Sequence, residues 1–185
     1  MIQIRLHGRG GQGVVSAAQM IAIAAFQEDL FSRSFATYGV ERRGSPVTSF
    51  AMIGPKEEIT RSKVYTPDCV IVLDPYLPKV MNVTEGLKKE GMLIQNIPKT
   101  ISASEILAPR SEELKLASID ATSIAMEILE RPIPNTVMLG AFARATNMVK
   151  LESMLKAIGK RFRGEQQDKN KNAVQAGYER VKINF

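Results

Sequence analysis

The beginning of the chain constrains its fold most, because an alternating strand pattern there runs directly into a cluster of glycines. Ile2, Ile4 and Leu6 alternate with polar residues, and residues 8–13 then read Gly-Arg-Gly-Gly-Gln-Gly. Residues 14–26 contain neither glycine nor proline and are mostly apolar, which predicts a buried helix that begins where the glycines end. A strand, a glycine turn and a helix start together present free backbone N–H groups to an anion. The sequence therefore predicts a phosphate-binding loop.

The glycine spacing matches a dinucleotide-binding fingerprint only in part. The loop satisfies the G-x-G-x-x-G pattern, but that fingerprint also needs an acidic residue at the end of the second strand to hold the ribose hydroxyls. Glu28 and Asp29 have the right spacing but lie at the end of the first helix, before the second strand predicted at residues 30–36. We therefore favour a different phosphorylated ligand. A free-standing dehydrogenase stays open as an alternative, and it predicts that the chain binds a nicotinamide.

The composition is that of one globular domain. The chain has 185 residues, of which 44% are hydrophobic and 24% charged, so we expect a single domain over residues 1–185. Its longest apolar runs, residues 20–26 and 69–73, are too short to cross a bilayer, and its start resembles no signal peptide, which predicts a cytoplasmic protein. Cys69 is the only cysteine, so the chain cannot supply the four thiolates that an iron–sulfur cluster usually needs.

Positive charge is concentrated near the end of the chain. The net charge is +6, and residues 150–185 contain nine Lys or Arg residues against four Asp or Glu residues. Nucleic-acid modules normally add stacking aromatic residues or a recognisable reading helix, and neither is seen here. We expect a solvated helix face or a subunit contact instead, and no nucleic-acid partner.

Strand and helix patterns alternate along the rest of the chain. Further strands are predicted at residues 47–53, 58–63, 69–73, 92–94 and 114–119, and helices at residues 79–89, 121–129, 136–147, 151–162 and 168–181. The run at 69–73 is continuously apolar, as is typical of a buried parallel strand. The order predicts an α/β fold, a three-layer α/β/α sandwich with a mainly parallel sheet and a Rossmann-like glycine loop after the first strand.

Four side chains have the chemistry for catalysis, but their positions favour structural roles. Cys69 begins an apolar strand, which predicts a buried and inert thiol. His7 lies where the first strand meets the glycine loop, and we favour a histidine satisfied by the backbone over a ligand contact. Asp74 and Asp120 end buried strands, where an aspartate can act in acid–base chemistry or hold magnesium but more often caps a turn or helix. We therefore predict no catalytic residue and no metal site on this chain.

Other polar residues have the chemistry for ligand recognition. The loop at residues 41–44 reads Glu-Arg-Arg-Gly, and guanidinium groups there suit either an anion clamp or an intersubunit salt bridge. Asn96 lies at a strand end and Asn135 lies in a proline-fixed loop. Both can face the same carboxyl edge of the sheet as the glycine loop, although each alone would count only as a turn residue.

Six blocks of sequence, spread in one order over nearly the whole chain, carry a further signal. They read HGRGGQGVV at 7–15, YGVERRGSPV at 38–47, PDCVIVLDP at 67–75, IDATSIAMEI at 119–128, IPNTVMLGAFA at 133–143 and KNKNAVQAGYE at 169–179. Together they resemble the gamma subunits of the 2-oxoacid:ferredoxin oxidoreductases, particularly those of the pyruvate (pyruvate synthase) and branched-chain 2-oxoacid type. One glycine motif would be a weak match, whereas six ordered blocks are specific.

The resemblance implies one subunit of a multi-subunit enzyme. Such an enzyme converts pyruvate, coenzyme A and oxidised ferredoxin to acetyl-CoA, CO2 and reduced ferredoxin, or runs in reverse as a synthase. The resemblance also implies alpha, beta and delta partner subunits. Thiamine diphosphate and Mg2+ are expected between alpha and beta, and [4Fe-4S] clusters on beta and delta. This chain alone would be inactive.

The resemblance further implies that this subunit contributes to coenzyme A binding. By matching positions, the contact residues would be Gly10, Gly11, Gln12, Gly13, Val14, Arg42, Asn96 and Asn135. Arg43 is an alternative for the basic role of Arg42. Coenzyme A carries a diphosphate and a ribose phosphate, so it needs backbone donors and cations but no acidic residue. Two alternatives stay open: a scaffold subunit without a ligand, and specificity for branched-chain 2-oxoacids.

Overall fold

The strands of this protein form one sheet. A computed structural model describes residues 1–37, 44–55, 63–109 and 111–185. The strands in these ranges are β1 (Ile2–Arg9), β2 (Phe31–Thr37), β3 (Pro46–Gly54), β4 (Cys69–Val72), β5 (Met92–Asn96), β6 (Lys115–Ile119) and β7 (Lys182–Asn184). They are ordered β2-β3-β1-β4-β5-β6-β7 across the sheet.

Most of the strands run in one direction. β1, β4, β5 and β6 are parallel neighbours, and β3 and β7 run against the strands beside them. Five of the seven strands described here therefore point the same way, which confirms the predicted α/β fold with its mainly parallel sheet. The parallel strands bring the carboxyl ends of β1, β4, β5 and β6 to one edge of the sheet, where the glycine loop begins.

The helices follow the predicted pattern closely. They are α1 (Val14–Phe26), α2 (Ala103–Ile106), α3 (Ala121–Leu129), α4 (Asn135–Thr146), α5 (Leu151–Arg161) and α6 (Gly164–Arg180). The bounds predicted for α1 and α3 are confirmed, whereas α6 begins earlier than predicted. Within the described ranges, no helix is both long and apolar enough to cross a membrane.

The five longer helices cover one face of the sheet. Ile4 and Leu6 of β1 lie in a single buried cluster with apolar residues of α1, α3, α4, α5 and α6. Because side chains alternate across a strand, the residues that follow each of them, Arg5 and His7, point to the opposite face. This arrangement gives the protein one main apolar core, between the sheet and its helical layer.

The opposite face is covered differently from what the sequence predicts. The crossover helix expected at residues 79–89 is wrong, because that region contains a single 3₁₀ turn at Leu77–Lys79 followed by further turns. The β-branched residues Val80, Val83 and Thr84 have a low helix propensity and disfavour a longer helix. Gly86 adopts φ +67° and faces the Tyr65 carbonyl, where a side chain would not fit. The apolar residues of this region still pack on β4 and β5, so the third layer consists of turns and short helical segments.

Two more differences concern strands. The strand predicted at residues 58–63 lies outside the described residues, except for residue 63. The terminal strand β7 was not predicted, because three residues of mixed polarity carry too little pattern to distinguish a strand from a coil.

Helices α4 and α6 touch backbone to backbone. A Cβ atom placed on Gly140 of α4 would strike the Val174 carbonyl, and one placed on Gly177 of α6 would strike the Val137 carbonyl. Glycine is needed at both positions because any larger residue would separate the helices. The contact fixes α4, whose first residue is Asn135, against the C-terminal helix.

Alanine at Gly177 tests this helix contact. The added methyl group would meet the Val137 carbonyl, so we expect Gly177→Ala to lower the free energy of unfolding by about 1–3 kcal/mol. Gly159→Ala is the matched control, because a Cβ there meets no atom closer than 3.6 Å. That variant should gain about 0.5–1 kcal/mol, as expected for a glycine replaced in a helix interior. Urea unfolding of the full chain measures both, and equal changes would contradict the contact.

Candidate functional site

The glycine loop joins the carboxyl end of β1 to the start of α1. Gly11 has φ +98° and Gly13 has φ +76°, conformations that L side chains rarely adopt. Gly13 occupies the N-cap position of α1 and has no side chain that could cap the helix start. The N-cap residue therefore gives no side-chain acceptor to the first backbone N–H groups of α1, and helix starts with such groups available can bind anions.

A buried carboxylate holds the loop in shape. Asp74, at the end of β4, accepts a hydrogen bond through Oδ2 from Gln12 Nε2 at 2.9 Å, and the same oxygen lies 3.3 Å from Arg9 Nε. Its Oδ1 accepts from the Tyr76 backbone N–H at 3.0 Å. The other end of the Gln12 amide accepts from Arg9 N–H at 2.7 Å. Asp74 thus acts as the turn-forming residue that the sequence favoured, and the Gln12 side chain serves the loop itself.

The segment after the arginine-rich loop also contacts the glycine loop. Gly10 N–H donates to the Ser45 carbonyl at 2.9 Å, and Gly44 N–H donates to the Gly10 carbonyl at 3.2 Å. Arg42 lies outside the described residues, as does Arg43. Gly44, which directly follows Arg43 in the sequence, is the first described residue after this pair and lies beside the glycine loop.

Asn135 lies against the helix start. A Cβ on Gly13 would strike the Asn135 amide nitrogen, so only glycine fits between this side chain and the loop. Asn135 is 7% exposed, and its Oδ1 accepts from Thr136 N–H at 2.9 Å. Its Nδ2 has no hydrogen-bond partner in the part of the chain that the structure describes. The amide nitrogen is not one of the buried unsatisfied atoms of the described residues, so this donor reaches accessible surface beside the helix start.

Asn96 is not part of this arrangement. It is fully buried, and its Nδ2 donates to the Leu73 carbonyl and to Thr122 Oγ1, both at 2.8 Å. Its Oδ1 accepts from Ala121 N–H at 2.9 Å. The side chain ties the ends of β4 and β5 to the start of α3 and offers no surface to a ligand. The expected ligand contact at Asn96 is therefore corrected to a structural role, and we leave this residue out of the candidate site.

A cleft opens directly beside the glycine loop. Its volume is about 680 Å³. It is lined by Arg9, Gly10, Gly11, Gly13, Val14, Val15, Ser16, Gln19, Val47 and Arg161. Arg161 is the last residue of α5 and was missed by sequence reasoning, because its place beside the loop depends on tertiary packing. The one sequence signal that could have found it is the excess of basic residues after position 150.

The single histidine belongs to a buried polar pair on the other face of β1. Arg5 Nε donates to His7 Nε2 at 3.0 Å, and Arg5 Nη2 donates to the carbonyls of Val83 and Glu85. The second ring nitrogen of His7 lies 3.4 Å from Thr48 Oγ1. Burial, and secondly the charge of Arg5, lower the pKa of His7 to about 3, so the ring is neutral. The histidine is satisfied within the protein, as expected, but by a side chain rather than the backbone.

Cys69 and Asp120 also have structural roles. Cys69 is fully buried, and this burial raises the pKa of its thiol well above the ordinary range, which confirms an inert residue. Asp120 caps α3 through a bond from Ser123 N–H at 3.0 Å. It also lines a second cleft, of about 540 Å³. In that cleft Arg180 is paired with Glu127 at 2.8 Å. The glycine-loop cleft is the better candidate because it borders a helix start with a glycine at its N-cap.

Sequence comparisons place the chain in one family. The pyruvate ferredoxin/flavodoxin oxidoreductase family matches residues 3–180. The pyruvate/ketoisovalerate oxidoreductases common subunit gamma of Pyrococcus furiosus is 48% identical over 99% of this chain and 98% of its own. Pyruvate synthase subunit PorC of Methanothermobacter marburgensis is 47% identical over 98% of each chain. The chain therefore belongs to the pyruvate ferredoxin/flavodoxin oxidoreductase family, as a subunit of the gamma type.

Solved structures share the fold. Pyruvate oxidoreductase subunit PORC from Thermotoga maritima is 37% identical with a TM-score of 0.82, covering 100% of this chain and 98% of that one. A 2-oxoglutarate:ferredoxin oxidoreductase from Magnetococcus marinus, solved with 2-oxoglutarate, coenzyme A and succinyl-CoA bound, is 20% identical with a TM-score of 0.73. It matches 96% of this chain but 30% of its own. The second likeness shows the fold alone, carried there within a longer chain.

Acid titration tests the buried His7. Its folded pKa of about 3 lies below the ordinary value of 6.5, so the unfolded chain takes up a proton that the folded chain does not. As the pH falls from 6.5 towards 3, His7 should remove up to about 1.4 kcal/mol of unfolding free energy per pH unit. His7→Gln should lack this contribution while keeping the acidic residues common to both proteins. Urea unfolding between pH 7 and pH 4 measures the difference, and parallel pH profiles would contradict it.

Proposed function

We propose that this chain is the gamma subunit of a pyruvate synthase-type enzyme and that its glycine loop binds the diphosphate of coenzyme A. The observation that carries the proposal is the start of α1, which has a glycine at its N-cap, lines a cleft and has the Asn135 amide packed against Gly13. The family membership supplies a reaction with a phosphorylated co-substrate. The Magnetococcus marinus enzyme, which shares this fold, has coenzyme A bound.

The proposed binding uses the local chemistry of the loop. The backbone N–H groups at the start of α1 and the partial positive charge of the helix end face a diphosphate, and Asn135 Nδ2 adds a side-chain donor. Gly13 allows Asn135 to lie close enough to share the same anion. Gln12 acts indirectly, because its amide is held by Asp74 and Arg9. A nicotinamide would also need an acidic residue for its ribose diol, which the sequence lacks at the required place.

The chemistry of the reaction belongs to partner subunits in this proposal. Thiamine diphosphate with Mg2+ would supply decarboxylation, and [4Fe-4S] clusters would pass electrons to ferredoxin. Alpha, beta and delta subunits would hold those groups. This chain would hold the phosphate end of coenzyme A, so that the thiol end reaches the neighbouring reaction centre.

The choice of 2-oxoacid is proposed to lie with the partners as well. The Pyrococcus furiosus relative is described as a subunit common to pyruvate and ketoisovalerate oxidoreductases. A subunit shared by two substrate specificities does not itself select the substrate. We propose pyruvate for this complex, with a branched-chain 2-oxoacid as the second candidate. A ferredoxin-linked assay of the native complex with both acids distinguishes them.

Asn135→Asp tests the proposed coenzyme A site in the assembled complex. Aspartate keeps the oxygen that accepts from Thr136 N–H but replaces the amide donor with a negatively charged oxygen. We expect coenzyme A to bind at least about tenfold more weakly, because a donor is lost and like charges meet. Asn147→Asp is the matched control, since Asn147 lies exposed at the other end of the same helix. Calorimetric titration measures both variants.

Two outcomes separate ligand binding from a scaffold role. Saturating coenzyme A should slow amide hydrogen exchange in residues 10–15 of the wild-type complex. Unchanged exchange there, together with unchanged affinity in Asn135→Asp, would favour a scaffold subunit without a ligand.

Arg42→Gln tests the cation assigned by resemblance. An arginine–phosphate contact contributes roughly 1.5–3 kcal/mol, so we expect the KM for coenzyme A to rise about ten- to a hundredfold. The KM for the 2-oxoacid should stay unchanged. Arg131→Gln is the control, because Arg131 is exposed and does not line the glycine-loop cleft. Equal changes in both KM values would defeat the assignment, and Arg43→Gln then tests the neighbouring residue.

A further inference from the structure

The end of α5 brings a second arginine to the glycine-loop cleft. Arg161 is the last residue of α5 and lines the same cleft as Gly10 and Gly13. Helix α5 packs against α1, so the two walls of the cleft are the start of α1 and the end of α5. A basic residue in the last turn of a helix interacts favourably with the helix dipole, and Lys160 already provides this interaction in α5. Lys160 lines a different groove, beside Phe26, so only Arg161 of this pair faces the loop.

The charge of Arg161 is available, unlike that of its neighbour in the cleft. Arg9 is held by Asp74 at 3.3 Å and donates through Nη1 to the Gly44 carbonyl at 3.1 Å. Arg161 is exposed and makes no ion pair with any carboxylate among the described residues. Its guanidinium carbon lies 6.0 Å from the centre of the Phe162 ring. Of these two arginines, Arg161 is therefore the one that can bind an anion.

The cleft thus has two separate sets of anion-binding groups. One set is the glycine loop with the helix start, which supplies neutral N–H donors, and the other is a guanidinium on the opposite wall. Coenzyme A also carries two separate phosphate groups, a diphosphate in its chain and a 3′-phosphate on its ribose. The 3′-phosphate is a monoester that bears more than one negative charge at neutral pH, which a guanidinium matches better than neutral donors do.

We propose that Arg161 binds the ribose 3′-phosphate of coenzyme A while the glycine loop binds the diphosphate. This inference rests on the proposed function and assigns the specificity of the same site. It makes Arg161 the residue that distinguishes coenzyme A from its 3′-dephospho form.

Binding of two ligands to the assembled complex tests the assignment. The ligands are coenzyme A and 3′-dephospho-coenzyme A, and the variants are Arg161→Gln, Arg161→Lys and the control Arg163→Gln. Arg163 is exposed, lies two residues further along and donates to the Gly159 carbonyl outside the cleft. We expect the wild-type complex to bind coenzyme A about tenfold more tightly than the dephospho form, as one charge-assisted contact predicts.

Arg161→Gln should bind both ligands with the affinity of the wild-type complex for the dephospho form. Arg161→Lys should recover part of the discrimination, and Arg163→Gln should behave as the wild type does. Calorimetry gives the dissociation constants without relying on turnover. An equal loss of affinity for both ligands in Arg161→Gln would overturn the inference, because the arginine would then contact a group that the two ligands share.

The experiment gives different results if this inference fails and if the proposed function fails. Protection of residues 10–15 by coenzyme A, with no discrimination between the two ligands in the wild-type complex, overturns the role of Arg161 and leaves the loop assignment intact. No protection by either ligand overturns both.

Discussion

The carboxylate of Asp74 determines what the glycine loop can offer to a ligand. It holds the Gln12 amide and the Arg9 guanidinium, so both side chains of the loop are used within the protein. What the loop presents outward is therefore its backbone, at an uncapped helix start. In the coenzyme A site proposed here, specificity then comes from residues that other helices bring to the loop, namely Asn135 from α4 and Arg161 from α5. Such a loop can bind a phosphate group through its backbone N–H groups, while side chains from other helices select which phosphorylated ligand is bound.

Four described side chains that have the chemistry for catalysis have structural roles instead. His7 is bonded to Arg5, Cys69 is sealed in the core, and Asp120 caps a helix. Asp74 braces the loop. In the part of the chain described, none of these four side chains is free to act on a substrate.

The sequence predicted elements well wherever a local signal was strong. Helix α1 was placed correctly because no glycine or proline interrupts residues 14–26, and α3 because Asp120 marks its start. The helix expected at 79–89 failed because tertiary packing of a few apolar residues on β4 and β5 can be met by turns as well as by a helix. The hydrophobic periodicity of the sequence does not distinguish a helix from a series of turns that buries the same residues.

Site residues were harder to predict than elements. Asn96 and Asn135 occupy similar places in the sequence pattern, yet one is enclosed by Leu73, Thr122 and Ala121 while the other lies on the loop. Only the arrangement of neighbouring helices separates the two cases. Arg161 could not be singled out, because the excess of basic residues after position 150 does not show which of them lies beside the glycine loop.

The paired glycines of α4 and α6 have a mechanical consequence. No side chain lies between the two backbones at this crossing, so the helices are in direct contact. Because a closely packed contact transmits displacement, we expect the two helices to move together. Asn135, at the head of α4, is thereby coupled to the final helix of the chain, far from it in sequence. A neighbouring subunit that grips the C-terminal helix would also set the position of the amide that faces the loop.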